Sequence, residues 1–100
     1  MLLEPIEKQI NGKTFILTKF PAMAGQEIVI KYSASGFPNV ENYASFEEVC
    51  TKLMAYVGVP VDGKPPLMLT TKGLIENHIS DWRMLIEVQK EMMEYNKGFL

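Results

Sequence analysis

The stretch "IEKQINGKTFILTKF", residues 6–20, decides the fold class. Ile6, Lys8 and Ile10 alternate with Glu7 and Gln9, and residues 13–17 are rich in Thr, Phe and Ile, which favours two strands. Between them, Asn11 and Gly12 both tolerate the positive φ that a type I′ hairpin turn requires. Because an isolated hairpin is only marginally stable in water, we predict that its apolar face lies on helices or on another strand.

The next segment, "KFPAMAGQEIVIKY" at residues 19–32, predicts a helix that begins near Pro21. Its β-branched residues 28–30 favour a strand instead, and the sequence leaves that alternative open. An anion-binding loop is disfavoured, because Gly25 is the single glycine and Glu27 would repel a phosphate. We interpret the small residues as a place where another element packs closely.

A second helix is predicted after a loop at residues 33–43 that is rich in Ser, Gly, Pro and Asn. Ser45 and Glu48 have the spacing of a capping box at the start of this helix. Gly58 suits the left-handed position past its end, and Pro60 prevents continuation. The residues on its apolar side are Phe46, Val49, Cys50, Leu53, Tyr56 and Val57.

The segment "VPVDGKPPLML" then predicts a short, irregular β-arm. Asp62 and Gly63 signal a tight turn within it. Pro60, Pro65 and Pro66 lack the N–H that a strand ladder needs, so the arm is expected at the edge of a sheet.

Two further helices are predicted near the end of the chain. Thr70 or Thr71 can cap the short one, "KGLIENHI". Ser80 or Asp81 can open the longer one, "DWRMLIEVQKEMMEYNK". One arc of the longer helix is charged and comprises Arg83, Glu87, Lys90, Glu91, Glu94 and Lys97. Most of the remainder is apolar and comprises Trp82, Met84, Leu85, Ile86, Val88, Met92, Met93 and Tyr95.

This apolar arc spans roughly 200°, about twice the minimum stripe of a surface helix. We therefore expect the last helix to be covered on two sides. The domain's own core supplies one cover, and the hairpin, a second copy of the chain or another protein supplies the other. The methionines either fill the core or form an adaptable docking surface. In the second interpretation, the partner-binding residues are Trp82, Met84, Met92, Met93 and Phe99.

Composition restricts the class of protein. The 100 residues suffice for a single domain, residues 1–100, and 47% of them are hydrophobic. Nucleic acid is not an expected partner, because the net charge is −2 and the basic residues are scattered. Cys50 is alone, which excludes an intramolecular disulfide and favours a cytosolic compartment. No apolar run is long enough for a membrane span and the start does not resemble a secretory signal, so we expect a cytoplasmic protein.

No catalytic, cofactor or metal site is predicted. Glu76, His78 and Asp81 lie near one another in sequence, but residues 76 and 78 point in different directions on a helix. We interpret His78 as part of a helix–helix junction. Cys50 lies on an apolar helix side, which predicts a buried small side chain rather than a nucleophile. The protein is therefore not expected to be an enzyme.

Three segments together resemble the small tail assembly chaperones of tailed bacteriophages. They are "INGKTFILTKFPAMAGQEIVIKY", "LMAYVGVPVDGKPPLMLTTKGLIENHISDW" and "EMMEYNKGF". The resemblance covers nearly the whole chain apart from residues 33–45, and it depends on the order and spacing of these motifs.

The resemblance implies a protein of the host cytoplasm that binds the tape measure protein and assists tail tube protein polymerisation, without remaining in the mature virion. A longer form made by frameshifting is common in such families. The fold expected from the sequence is α+β, dominated by helices, with an N-terminal β-hairpin and a short β-arm packed on about four helices. The chain could also form a homo-oligomer. The alternative function is a small structural tail or head–tail connector protein of the virion.

Overall fold

The computed structural model describes residues 5–35 and 43–97, which form a small mixed α+β domain. Its one sheet is antiparallel with strand order β1-β2-β3-β4. The strands are β1 (Ile6–Ile10), β2 (Lys13–Leu17), β3 (Val57–Val61) and β4 (Lys64–Met68). The helices in the described ranges are α1 (Ala22–Ser35), α2 (Tyr43–Met54), α3 (Lys72–His78) and α4 (Trp82–Lys97).

The N-terminal hairpin forms where the sequence predicts it. Asn11 and Gly12 have φ values of 52° and 80°, as a type I′ turn requires. Ile10 lies opposite Lys13, so the register follows from the two-residue turn. Phe15 and Leu17 of β2 are buried at 0% and 1% exposure and bring the apolar face of the hairpin into the core.

The predicted β-arm is β3 and β4, and it is not separate from the hairpin. Val57 and Gly58 of β3 pair with Leu17 and Ile16 of β2, which places β3 inside the sheet. Of the two strands of the arm, β4 alone lies at an edge of the sheet, and Pro65 and Pro66 lie in it. Pro60 is tolerated in β3 because it lies beyond the residues that pair with β2, where the register with β4 also shifts.

The predicted end of the second helix is wrong. Helix α2 ends at Met54, and Gly58 belongs to β3 instead of terminating a helix. A Cβ atom at Gly58 would lie 2.9 Å from the Met68 sulfur and 3.1 Å from Pro66 Cβ. The close approach of β4 therefore favours glycine at this position, a preference that local sequence does not reveal.

The predicted capping box of this helix is also wrong. Helix α2 already includes Tyr43, so Ser45 lies inside it, and Glu48 pairs with Lys52 at 3.4 Å. At the preceding loop, α1 continues to Ser35, into the range predicted as irregular. Residues 36–42 of that loop lie outside the described residues.

The caps of the last two helices agree with the sequence. The Thr71 hydroxyl accepts a hydrogen bond of 3.2 Å from the Leu74 N–H at the start of α3. An Asp81 carboxylate oxygen accepts one of 2.8 Å from the Arg83 N–H at the start of α4. Both side chains satisfy N–H groups that have no partner within the helix.

The core lies between the sheet and the helices. Leu53 and Met54 of α2, with Val88 and Met92 of α4, are exposed by 1% or less. Helix α1 packs on α2, and its Ile28 is 1% exposed and belongs to the core cluster. A salt bridge of 2.8 Å between Glu27 and Lys52 also joins these two helices at the surface, and Glu27 makes a second one of 3.3 Å to Lys31 within α1.

Asn96 connects the last turn of α4 to the segment between β2 and α1. Its amide oxygen accepts a hydrogen bond of 2.9 Å from the Phe20 N–H. Its amide nitrogen donates to the carbonyl oxygens of Met92 and Thr18, at 3.0 Å and 3.4 Å. One amide group therefore satisfies three backbone groups in two parts of the chain.

We expect Asn96→Asp to lower the free energy of unfolding at neutral pH by about 1–3 kcal/mol, measured by urea denaturation. The carboxylate can still accept from Phe20, but it places a negative oxygen against the carbonyls of Met92 and Thr18. This environment raises the carboxyl pKa in the folded state, so the loss should shrink as the pH falls and the group becomes a donor. A variant as stable as the wild type at neutral pH would show that these hydrogen bonds contribute nothing.

Candidate apolar binding groove

An apolar groove of about 280 Å³ lies between α2, α3 and α4. Its floor consists of residues that also belong to the interior, and its rim consists of exposed ones. The lining residues are Tyr43, Phe46, Glu47, Cys50, Thr51, Met54, Lys72, Ile75, Glu76, Trp82, Leu85, Ile86 and Gln89. The groove arises because α3 is short and the chain turns at Asp81 into α4, so that three helices meet around a space that none of them fills.

Three large hydrophobic side chains at the rim are exposed to solvent. Trp82 is 66% exposed, Tyr43 is 54% exposed and Ile86 is 39% exposed. Trp82 and Ile86 are four residues apart in α4 and therefore share one side of the helix. Next to them, the Arg83 guanidinium lies 5.3 Å from the centre of the Trp82 ring. Exposed aromatic residues around an apolar cleft are typical of a protein interaction site.

The polar part of the rim is charged. Lys72 of α3 donates to a carboxylate oxygen of Glu47 of α2 across 2.7 Å. This hydrogen bond and the attraction between the two charges hold the pKa of Glu47 below, and that of Lys72 above, their usual ranges. Glu76 lies one turn further along α3 and also lines the groove. Since both partners of the salt bridge are exposed, it orients the rim more than it stabilises the fold.

Cys50 and Gln89 meet at the groove floor. Cys50 is 8% exposed, and burial raises the pKa of its thiol to about 12, although a hydrogen bond with Gln89 opposes this shift. The thiol is therefore protonated at physiological pH, which fits the predicted buried side chain and not a nucleophile. Gln89 is 3% exposed and is the one buried polar or charged residue in the described parts of the chain.

Gln89 lines the groove but is not among the site residues predicted from the sequence. The available signal was an amide on the apolar side of the last helix, between positions 88 and 92. An unsatisfied amide in an apolar environment costs about 1–3 kcal/mol. In residues 5–35 and 43–97, no buried side-chain oxygen or nitrogen lacks a hydrogen-bond partner. Gln89 is therefore a buried polar residue whose buried amide atoms have hydrogen-bond partners.

The predicted docking residues of α4 lie in different environments. Trp82 is exposed and lines the groove, and Met84 is partly buried. Met92 and Met93 are exposed by only 0% and 5%, so they lie in the core and not at the surface, and their part in partner binding stays a prediction. They are buried because the second half of α4 crosses β1 and β2 and directs one side of its apolar arc into the core. Phe99 lies outside the described residues.

The groove rim accounts for part of the wide apolar arc of α4. The arc packs on the core through Val88, Met92 and Met93, and Trp82 and Ile86 continue it at the groove. A second exposed apolar pair lies on α1, where Met23 is 85% exposed and Ile30 is 59% exposed.

Glu76, His78 and Asp81 lie near the junction between α3 and α4 and were considered as a metal site. Within the described ranges, no three His, Cys, Asp or Glu residues are grouped so that they could hold a metal ion. The backbone carbonyl of His78 accepts a hydrogen bond from the Lys13 ammonium, which joins the end of α3 to the hairpin.

Comparison of the chain with protein-family models, with curated proteins and with solved structures finds no match. Among the described residues, no helix has both the length and the apolar character needed to span a membrane.

Proposed function

We propose that this protein is a tail assembly chaperone of a tailed bacteriophage, a non-enzymatic protein that binds the tape measure protein through the α2–α3–α4 groove. The observation that carries the proposal is the exposure of Trp82, Tyr43 and Ile86 around one apolar cleft. The resemblance of the three sequence segments described above supplies the class of partner. The proposed location is the host cytoplasm, and the proposed role ends before the virion is complete.

The groove has properties that suit temporary binding of a helical segment. An amphipathic helix can place apolar side chains between Trp82 and Tyr43, as in other helix-in-groove complexes. Met54 at the floor has a flexible side chain that adapts to different shapes. Because the cleft is small, the affinity of one contact is modest, and tail tube subunits can displace the chaperone as they polymerise around the tape measure protein.

We expect Trp82→Ala to weaken binding to the tape measure protein by about tenfold or more, because exposed aromatic anchors contribute strongly to interfaces. Binding would be measured by calorimetry or co-purification with the tape measure protein of the same phage. The free energy of unfolding should change by less than about 1 kcal/mol, since Trp82 is largely exposed.

Met23→Ala is the matched control, because Met23 is exposed and apolar but lies on α1, away from the groove. It should bind like the wild type. If the Trp82→Ala protein is folded and binds the tape measure protein with unchanged affinity, the proposed binding site is wrong.

A structural protein of the tail or of the head–tail connector remains the second candidate. One observation favours it: the outer edge strand β1 carries no proline within Ile6–Ile10, and all its residues except Ile10 are exposed. Such an edge can pair with a strand of a neighbouring subunit in a ring. Mass spectrometry of purified virions distinguishes the two, because a chaperone is absent from the particle and a structural protein is present in many copies.

A further inference from the structure

The face of the molecule that contains the groove also contains a large exposed side chain. Trp82 is 66% exposed, and the apolar groove of about 280 Å³ lies beside it between α2, α3 and α4. Ile86, one turn further along α4 and 39% exposed, extends this apolar surface. Because an aromatic side chain buries about 150–250 Å² when it is covered, a face with an exposed tryptophan beside an apolar recess can be complementary to itself.

Two exposed charged groups on this face have opposite signs. Glu76 of α3 lines the groove, and the Arg83 guanidinium of α4 lies 5.3 Å from the centre of the Trp82 ring. Within residues 5–35 and 43–97, neither Glu76 nor Arg83 takes part in a salt bridge. The face therefore offers one carboxylate and one guanidinium to a partner.

The other charged groups nearby are already engaged. Glu47 and Lys72 form a salt bridge of 2.7 Å across the rim. Asp81 caps the start of α4, and Glu87 on the next turn of α4 lies 3.9 Å from Lys90. These groups leave no strong excess of one sign that would select a basic or an acidic partner.

A second copy of the chain complements the apolar and the charged features together. In a two-fold interface the same patch lies on both sides, so a contact between two different residues occurs twice. One available carboxylate and one available guanidinium on each copy then form two salt bridges, with no charge left over. A partner with charges of a single sign would satisfy one of the two groups and repel the other. The net charge of −2 per chain is too small to oppose association strongly.

We propose that this face binds a second copy of the chain in a two-fold dimer. Trp82 of each copy lies against the groove of the other, and Arg83 pairs with Glu76 of the partner subunit. The dimer covers the groove while no other protein does, so the tape measure protein has to displace one copy in order to bind. This last consequence rests on the proposed function, whereas the dimer itself does not.

Sedimentation velocity of the full chain, over a concentration range of about 5–500 μM, tests the dimer without any other protein. We expect a monomer–dimer equilibrium with a dissociation constant of about 10–100 μM, in the weak range of small interfaces. Trp82→Ala should weaken the dimer by about tenfold or more, because it removes the central aromatic contact. Met23→Ala removes an exposed apolar side chain from α1 and should leave the equilibrium unchanged.

Charge reversal tests the two-fold arrangement. Glu76→Arg and Arg83→Glu should each weaken self-association by about fivefold or more, because each places like charges opposite one another at both equivalent positions. An equimolar mixture of these two variants should form a heterodimer with nearly the affinity of the wild type, since every arginine again faces a glutamate. Glu94→Arg is the control, because it changes the net charge as Glu76→Arg does, at an exposed position of α4 outside the groove lining. It should dimerise like the wild type.

A wild-type chain that stays monomeric over the whole concentration range would overturn the proposal. A dimer that Trp82→Ala leaves intact would do the same, and so would a mixture of the charge variants that associates no better than either variant alone. The wild-type measurement does not depend on whether any variant folds.

The dimer and the proposed function can fail separately. If the copies do not associate while Trp82→Ala still weakens tape measure binding, the dimer is wrong and the proposed function survives. If the copies associate through Trp82 and the tape measure protein does not bind, the dimer is correct and the proposed function is wrong.

Discussion

Met92→Ala is expected to lower the free energy of unfolding by about 2–5 kcal/mol, the range found when large buried side chains are truncated. Met92 is 0% exposed and belongs to the cluster that joins α4 to the sheet. Truncation leaves a cavity between well-packed neighbours, so the loss includes both the transfer of the side chain and the missing contacts. Because small domains have a total stability of roughly 5–15 kcal/mol, this one change should remove a large fraction of it. Urea denaturation monitored by circular dichroism measures the effect.

Met23→Ala provides the comparison, since the same side chain is removed from a position that is 85% exposed. Its free energy of unfolding should stay within about 0.5 kcal/mol of the wild type. Similar losses at Met23 and Met92 would contradict the burial of Met92. The pair also separates packing from partner binding, because a folded Met92→Ala protein should retain the groove contacts of Trp82.

Gly25→Ala and Gly73→Ala are expected to change stability in opposite directions, although both glycines lie in helices. A Cβ atom at Gly25 would lie 2.9 Å from Phe20 Cβ, closer than two such atoms can approach. Phe20 cannot easily move, because it is 5% exposed and its N–H donates to Asn96. We expect Gly25→Ala to be destabilising by about 1–3 kcal/mol despite the higher helix propensity of alanine.

Gly73 has only the Thr71 hydroxyl oxygen near its added Cβ, at 3.9 Å, an ordinary contact. Gly73→Ala should therefore raise the free energy of unfolding by up to about 1 kcal/mol, through the lower backbone entropy of alanine in the unfolded chain. Thermal and urea denaturation of both variants, side by side, measure the difference. A stabilising Gly25→Ala would show that Phe20 does not pack against α1 as described.

These contacts explain the small-residue stretch that precedes the β-branched residues of α1. Gly25 allows the Phe20 side chain to pack directly on the helix, and Phe20 in turn contacts the Tyr56 ring edge-to-face at 5.7 Å. The stretch is thus a packing site, in agreement with the interpretation from sequence, although the approaching residue comes from the segment just before the helix and not from a distant element.

The groove and the core use different parts of α4. The arc that sequence analysis identified as too wide for a surface helix is real, but its methionines lie on the core side and its tryptophan lies at the rim. The width of an apolar arc indicates how much of the helix surface must be buried. It does not indicate which of its residues pack on the core and which line a groove. That assignment depends on the angle at which α4 crosses the sheet.

Local sequence was sufficient where a structure depends on groups a few residues apart. The hairpin turn at Asn11 and Gly12 and the caps at Thr71 and Asp81 follow from backbone preference and from side chains that bond nearby N–H groups. The four helices within residues 5–35 and 43–97 and the α+β class also follow from hydrophobic periodicity. Each of these features depends on residues within one short segment of the chain, so the sequence of that segment is enough to predict it.

Only the tertiary structure decided what depends on segments far apart in the chain. The pairing of β2 with β3 makes one sheet from the hairpin and the arm, and the approach of Met68 and Pro66 explains Gly58. The groove and the position of Gln89 at its floor require α2, α3 and α4 together. Such features have no local signature, because the contact energy that creates them belongs to pairs of residues separated by a turn, a strand or a whole helix.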